Sequence, residues 1–218
     1  MNYDQIVALL VSRTGNRDDL LPVIETELAA AQGNIESSWT DPTMPWFLRK
    51  TGIIGFSPGS NIGGLPSDYL RDQDDGMPLY AEQDVEGAYG GAAMMRKVFP
   101  EERAVMELEG LNAGVCGEIG YSISGETMAL SSTPTYAAQV TLPYYGGEPP
   151  INATNQENQW SKHAPELLIA ATGRKLATYI RDSELSQIFA QDAETEATRL
   201  ILASNERMVA NLDLTIRY

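Results

Sequence analysis

Cysteine and histidine are nearly absent, with one of each in 218 residues. The single thiol, Cys116, excludes an intramolecular disulfide and fits synthesis in a reducing compartment. The single imidazole, His163, supplies none of the His/Cys spacings that build a transition-metal site. It also leaves a hydrolytic triad with one conceivable base and no nucleophile linked to it. No serine falls in a G-x-S-x-G elbow, and the glycine-rich stretches at 59–64 and 87–91 lack both phosphate-cradling spacings. Basic residues are scarce too. Fifteen Lys and Arg stand against thirty Asp and Glu, a formal charge of -15, which argues against a partner bound by phosphate neutralisation. No stretch approaches the roughly 20 apolar residues that cross a bilayer, and Met1–Asp4 lacks a basic leader region, so neither signal peptide nor membrane anchor is expected. These absences point away from an enzyme and imply no cofactor and no metal.

The remaining chemical candidates fail individually. Cys116 lies between Gly114 and Gly117 without a basic neighbour or helix N-terminus to activate it, so it reads as inert. Asp72-Gln73-Asp74-Asp75-Gly76 resembles the start of a calcium loop, but its glycine falls fifth rather than sixth. The twelfth place holds Gln83 instead of Glu, so the segment reads as a solvated turn. His163, beside Pro165, reads as an ordinary polar position at a helix entrance.

What is present is an ordinary globular composition, 43% apolar and 21% charged, long enough for a substantial core. A helix capped by Asn2 and Gln5 ends near Thr14-Gly15. A second, from Asp18-Asp19, places Leu21, Ile24, Leu28, Ala31 and Ile35 on one face and fades before Trp39 and Pro42. From Thr43 the texture becomes that of short strands between turns: Gly52–Phe56, Tyr121–Ser124, Met128–Leu130 and Gln139–Tyr145. Asp84–Tyr89 and Met94–Phe99 read as irregular structure or a short helix. After Pro149-Pro150, Pro165 opens a helix bearing Leu168, Thr172, Leu176, Tyr179 and Ile180. Asp182-Ser183 restarts the pattern, with Leu185, Phe189, Ala193, Ala197, Leu200, Ile201, Ser204 and Met208 in one long stripe.

The last residues alternate, with Leu212, Leu214, Ile216 and Tyr218 on one side, a strand signature. Its apolar face needs cover, either from the chain's own β-region or from an edge offered by another chain. The predicted fold is therefore α+β: an antiparallel helical bundle of two N-terminal and two C-terminal helices, a small inserted antiparallel β-domain, and an extended C-terminal tail. The expected boundaries are 1–42 for the N-terminal hairpin, 43–150 for the β-rich insertion, 151–210 for the C-terminal hairpin and 211–218 for the tail.

Segment order then suggests a family. Gly64-Leu65-Pro66-Ser67-Asp68-Tyr69-Leu70 followed by Met77-Pro78-Leu79 resembles the "LPxDFxx…PL" passage of head-to-tail adaptor (connector) proteins of tailed bacteriophages. Tyr121–Leu130, Pro134 and Val140-Thr141-Leu142-Pro143-Tyr144-Tyr145 are similar to that family's strand pair ending in "LxYY". Pro149, Asn158, Trp160 and Ala164-Pro165-Glu166-Leu167-Leu168 resemble the entry to its C-terminal helices, closed by Tyr179–Asp182. The likeness covers most of the chain and is densest between Tyr121 and Asp182.

It implies a structural virion protein, made in the host cytoplasm and located in the neck or tail. Roughly twelve copies would form a ring beneath the portal, bind a nozzle or tail-tube protein below, and let DNA pass through the lumen without sequence-specific binding. Leu65, Pro66, Tyr144, Tyr145, Trp160 and Pro165 would be structural motif residues, with Trp160 buried against the helices and one of the two tyrosines facing the core. Leu212, Leu214, Ile216 and Tyr218 would dock on the portal. Negative charge facing the channel would keep DNA from adhering. The other reading open to the sequence is a small acidic chaperone or regulatory binding module.

Overall fold

The computed structural model of the chain describes residues 1–39, 43–73, 76–84, 86–90, 93–108 and 119–215, with side chains through Arg207. Among these are six α-helices: α1 Tyr3–Arg13, α2 Leu21–Ser38, α3 Pro100–Leu108, α4 Gln159–His163, α5 Pro165–Tyr179 and α6 Ser183–Thr215. The strands are β1 Arg49–Phe56, β2 Ile62–Gly64, β3 Tyr69–Asp72, β4 Leu79–Glu82, β5 Ala93–Lys97, β6 Ile119–Ser124, β7 Thr127–Leu130 and β8 Ala138–Gly146. The chain divides into a helical unit, Met1–Leu48 with Gly147–Tyr218, and a β-unit, Arg49–Gly146. None of the helices is long and apolar enough to cross a membrane, among the described residues.

In the helical unit, local chemistry sets the helix ends. Asn2 accepts from the Gln5 backbone while the Gln5 side chain accepts from the Asn2 backbone, a reciprocal cap on α1. Asn158 and Ser161 do the same for α4, and Pro165 opens α5 at its first position. Helix α5 is the centre of this unit, packed by α1, α2, α4 and α6, and is buried on most of its circumference. Gly173 is needed there because the Phe189 ring of α6 lies where a Cβ would stand, with ring carbons 2.5–2.7 Å from that position. The turn into α6 places Arg181 at φ 60°, and Asp182 accepts from the Leu185 backbone to cap the new helix. At 33 residues α6 is about 50 Å long, against about 22 Å for the 15-residue α5. It therefore continues well past its partner.

The β-unit is built on β8. Along one edge β8 pairs antiparallel with all of β1, from Arg49 opposite Tyr145 to Phe56 opposite Ala138. Its other edge is divided, with β4 on Ala138–Thr141 and β3 on Tyr144–Gly146. The sheet continues from β4 through β5, β6 and β7 to β2. There Gly63 of β2 lies over Ile54 and Phe56 of β1, so close that a Cβ would fall 2.5 Å from Ile54 Cγ2. This contact brings the two ends of the sheet together into a nearly closed, barrel-like form. Inward residues from every layer fill it, among them Ile54, Phe56, Tyr80, Met95, Tyr121, Met128, Val140 and Leu142.

The predicted architecture is corrected in three respects. A helical bundle with a small inserted β-domain is not what forms: the β-unit is an eight-stranded sheet, and strands make up 24% of the structure. The four strands that sequence periodicity missed, β2 to β5, have three to five residues each. Alternation cannot be distinguished from a turn over so few positions. The sheet is mixed rather than antiparallel, because β5 and β6 run parallel, joined through α3. Met94–Lys97, expected as irregular or helical, belongs to β5, and Tyr89 makes an isolated bridge to Gln83. The C-terminal tail is not extended where it is described, since α6 carries the backbone as helix through Thr215.

Replacing Gly173 with Ala should lower stability despite a helix-propensity gain of about 1 kcal/mol, because overpacking against Phe189 costs about 1–3 kcal/mol. A lower urea midpoint, recovered by adding Phe189→Leu, is the expected result.

Candidate functional site

The β-unit contains one concentrated polar site. The loop entering β3 carries Asp68, which accepts from the Tyr144 hydroxyl of β8 at 2.9 Å and from Lys50 Nζ of β1 at 2.9 Å. Gly146 makes room for this meeting, since a Cβ there would stand 2.7 Å from Lys50 Cδ and 2.8 Å from Asp68 Oδ2. Alongside, the Tyr69 ring stacks on Tyr144 at 5.9 Å. Its hydroxyl donates to Asp72 Oδ1 at 2.7 Å, and Asp72 Oδ2 faces Lys97 Nζ at 2.5 Å. Two Lys–Asp–Tyr sets thus stand back to back through stacked rings.

Burial and hydrogen bonding together set their protonation. Burial, then the hydrogen bond to Asp68, pushes the Tyr144 phenol up to about 12. Burial and Asp72 drive Tyr69 further in the same direction. Burial pulls the Asp68 carboxyl upward, but hydrogen bonds from Lys50 and Tyr144 outweigh it and leave the group below its ordinary value. The phenols therefore remain donors and Asp68 an acceptor at neutral pH. The product is a clasp that fixes the 65–72 segment to β1 and β8. Leu65 adds a backbone bond to Glu126 at 2.9 Å, and the Pro66 ring lies against Gly52.

A groove of about 560 Å³ opens beside Asp72, lined in part by Gln73, Met77, Arg96 and Lys97. Asp72 is engaged by Tyr69 and Lys97, while Asp74 and Asp75 lie outside the described residues. No group of three metal-ligating side chains occurs among the described residues.

The helical unit holds a second polar centre. Leu28, Gln32 and Glu36 follow one another at i, i+4 on the buried face of α2. Glu36 Oε1 accepts from Trp160 Nε1 at 2.6 Å, Gln32 Nε2 at 3.1 Å and the Glu148 backbone at 3.2 Å. Asn158, while capping α4, donates to Gln32 Oε1 and to the Pro149 carbonyl, both at 2.9 Å. Burial raises the Glu36 pKa, its hydrogen bonds offset this only in part, and the nearby Glu148 adds to the rise.

Around this network the three tryptophans gather. Trp160 is fully buried against Trp39 and Phe47, and Phe47 in turn stacks on His163 at 5.3 Å. The Arg207 guanidinium lies 4.0 Å from the Trp46 ring centre. His163, expected as an ordinary polar position, is held as one ring of an aromatic stack. Partial burial, then Arg207 and Lys162, lowers its pKa, so it is neutral at pH 7.

Of the residues singled out by sequence, Leu65, Pro66 and Tyr144 are brought together at the clasp. Tyr144 and Tyr145 are both buried, although only one was expected to face the core. Tyr145 accepts from Arg49 at 3.2 Å instead of reaching solvent. Trp160 and Pro165 belong to the helical unit. Leu212 and Leu214 have helical backbone in α6, so the strand expected there is not formed. Their side chains, Ile216, Tyr218 and Cys116 lie outside the described residues. Sequence reasoning missed Lys50, Asp68, Gln32 and Glu36. The continuation of the α2 stripe from Leu28 to Gln32 and Glu36 was the available signal for the last two. No family model matches the chain, and no curated protein matches it.

Tyr144→Phe should cost about 1.5 kcal/mol by removing a donor to a charged acceptor, read as a lower urea midpoint at neutral pH. Glu36 gives a pH signature. Its folded-state pKa is raised, so the folded chain retains a proton that the unfolded chain releases, and that stabilisation is lost as pH rises above the ordinary 4.5. Glu36→Gln should therefore gain stability relative to wild type as pH rises from the ordinary 4.5 toward the raised folded-state value. A difference that stays constant across that range contradicts the assignment.

Proposed function

We propose that the chain is a structural virion protein, a head-to-tail adaptor that joins roughly twelve copies into a ring beneath the portal of a tailed phage. It connects the portal to a nozzle or tail-tube protein and continues the DNA channel. The observation that carries this reading is the use of the family-like passages. The "LPxDY" segment and the double-tyrosine strand meet through the Asp68–Tyr144 bond, and Trp160 and Pro165 serve as a buried anchor and a helix start. Each acts through packing, which is how a ring subunit works. The titratable groups of both polar centres are likewise absorbed in closed hydrogen-bond sets that stiffen the fold and turn over no substrate.

The acidic balance supports the channel role, since negative charge lining a lumen repels passing DNA. Docking on the portal falls to the segment 211–218, which carries Leu212, Leu214, Ile216 and Tyr218. It follows directly on α6, whose backbone is helical through Thr215, so a preformed strand is not required.

Electron microscopy of the chain mixed with the portal protein of the same phage tests this directly. Rings of the chain seated on the portal are expected, and deletion of residues 211–218 should abolish them while the deleted chain still unfolds cooperatively, its circular dichroism losing only the last helical residues of α6. A folded chain that never adds to portal rings would instead fit an acidic chaperone or regulatory module.

A further inference from the structure

Helix α6 outruns α5, and its far end is seated on an aromatic cluster. Gly173 meets Phe189 six residues from the end of α5 and six from the start of α6. On that spacing Pro165, the start of α5, lies level with about Ala197 of α6. Beyond this point the inward positions of α6 are Leu200 and Ser204, 6% and 0% exposed, and Arg207 continues the same face. Here α6 packs on the single helical turn Trp46–Leu48.

The seat is thinly held. Ser204 Oγ is buried with no hydrogen-bond partner, which subtracts from its stability. The specific contact is the Arg207 guanidinium, 4.0 Å from the Trp46 ring centre. His163 shares these rings: its imidazole stacks on Phe47 and meets Trp46 edge-on, each at 5.3 Å. Both distances fall within the range at which a cation is attracted to an aromatic ring. Enough of His163 is exposed for protons to reach it from solvent.

Partial burial, then Arg207 of α6 and Lys162 of its own helix, favour the neutral imidazole. The other charged groups around α4 have partners of their own. The Met1 amine donates to the Ser161 carbonyl, Glu36 accepts from Trp160 and Glu148 from the Gln159 backbone, Glu157 faces Lys162, and Glu166 faces Arg13.

We propose that Arg207, Trp46 and His163 form a proton-operated latch: a proton on His163 brings positive charge to the rings from α4, displaces Arg207, and releases the end of α6. Linkage makes the effect reciprocal. Seated Arg207 disfavours the charged imidazole, so the charged imidazole disfavours seated Arg207 by the same factor. At pH 7 His163 is neutral and the latch is closed. It opens as pH falls below the ordinary 6.5, through the lowered pKa of His163. The inference goes beyond the adaptor reading, since it concerns only how the helical unit holds the last turns of α6.

Amide hydrogen exchange across residues 200–215 of the full chain, corrected for intrinsic rates, tests this together with NMR titration of the one histidine. Between about pH 7.5 and 5, protection of these amides should fall at least about fivefold. Arg207→Gln should raise the His163 pKa and lower the protection already at the upper end of that range. His163→Phe keeps a ring that takes no proton and should retain protection to the lower end. If it does not fold, as judged by near-UV circular dichroism, His163→Gln takes its place. Glu36 titrates in all of these chains, so the difference between wild type and the His163 variant isolates the imidazole. Wild-type protection independent of pH, an equal loss in the His163 variant, or a His163 pKa unmoved by Arg207→Gln overturns the proposal.

Discussion

The antiparallel ladder between β1 and β8 is the constraint on which the β-unit depends. Eight consecutive residue pairs hold it, and the same strand then offers its opposite edge to β3 and β4. Because side chains alternate with period two, a one-residue slip would turn Ile54, Phe56, Val140 and Leu142 out of the core. The register is therefore fixed by burial. It also determines the side on which Tyr144 stands, and so its reach to Asp68.

Both units surround their carboxyl groups with donors, the part-exposed Asp68 and the buried Asp72 in one, the buried Glu36 in the other. Asp68 and Asp72 each face a lysine and a tyrosine hydroxyl, and one Glu36 oxygen accepts three donors. An unpaired buried charge would cost several kcal/mol, so these sets are conditions of folding as much as sources of stability. Tyrosines held as donors to carboxylates lose acidity.

Legibility in the sequence followed the range of the interaction. The Asn2–Gln5 cap, the helix start at Pro165 and the runs Gly52–Phe56 and Gln139–Tyr145 were readable because the signal and its partner lie within one turn or one strand. Trp160 was readable as a buried ring because an aromatic of that size rarely stays exposed. The pairing of Asp68 with Lys50 was not, since it joins a loop to a strand and nothing local marks the two as partners. Glu36 was half legible: its place on the α2 stripe was visible, but the indole that donates to it lies more than a hundred residues away.

By itself, the sequence determined the local punctuation, the strongly negative charge, the scarcity of cysteine and histidine, and the amphipathic helices. All of these are set by residue type or by neighbours a few positions apart. Tertiary structure alone decided that strands of three to five residues join into a nearly closed mixed sheet, because so short a strand is stable only once its neighbours supply hydrogen bonds and a core. It also decided the backbone over Leu212 and Leu214. Their alternation favours a strand in isolation, but a strand needs a partner edge. A helix already formed from Ser183 extends by adding one hydrogen bond for each residue fixed.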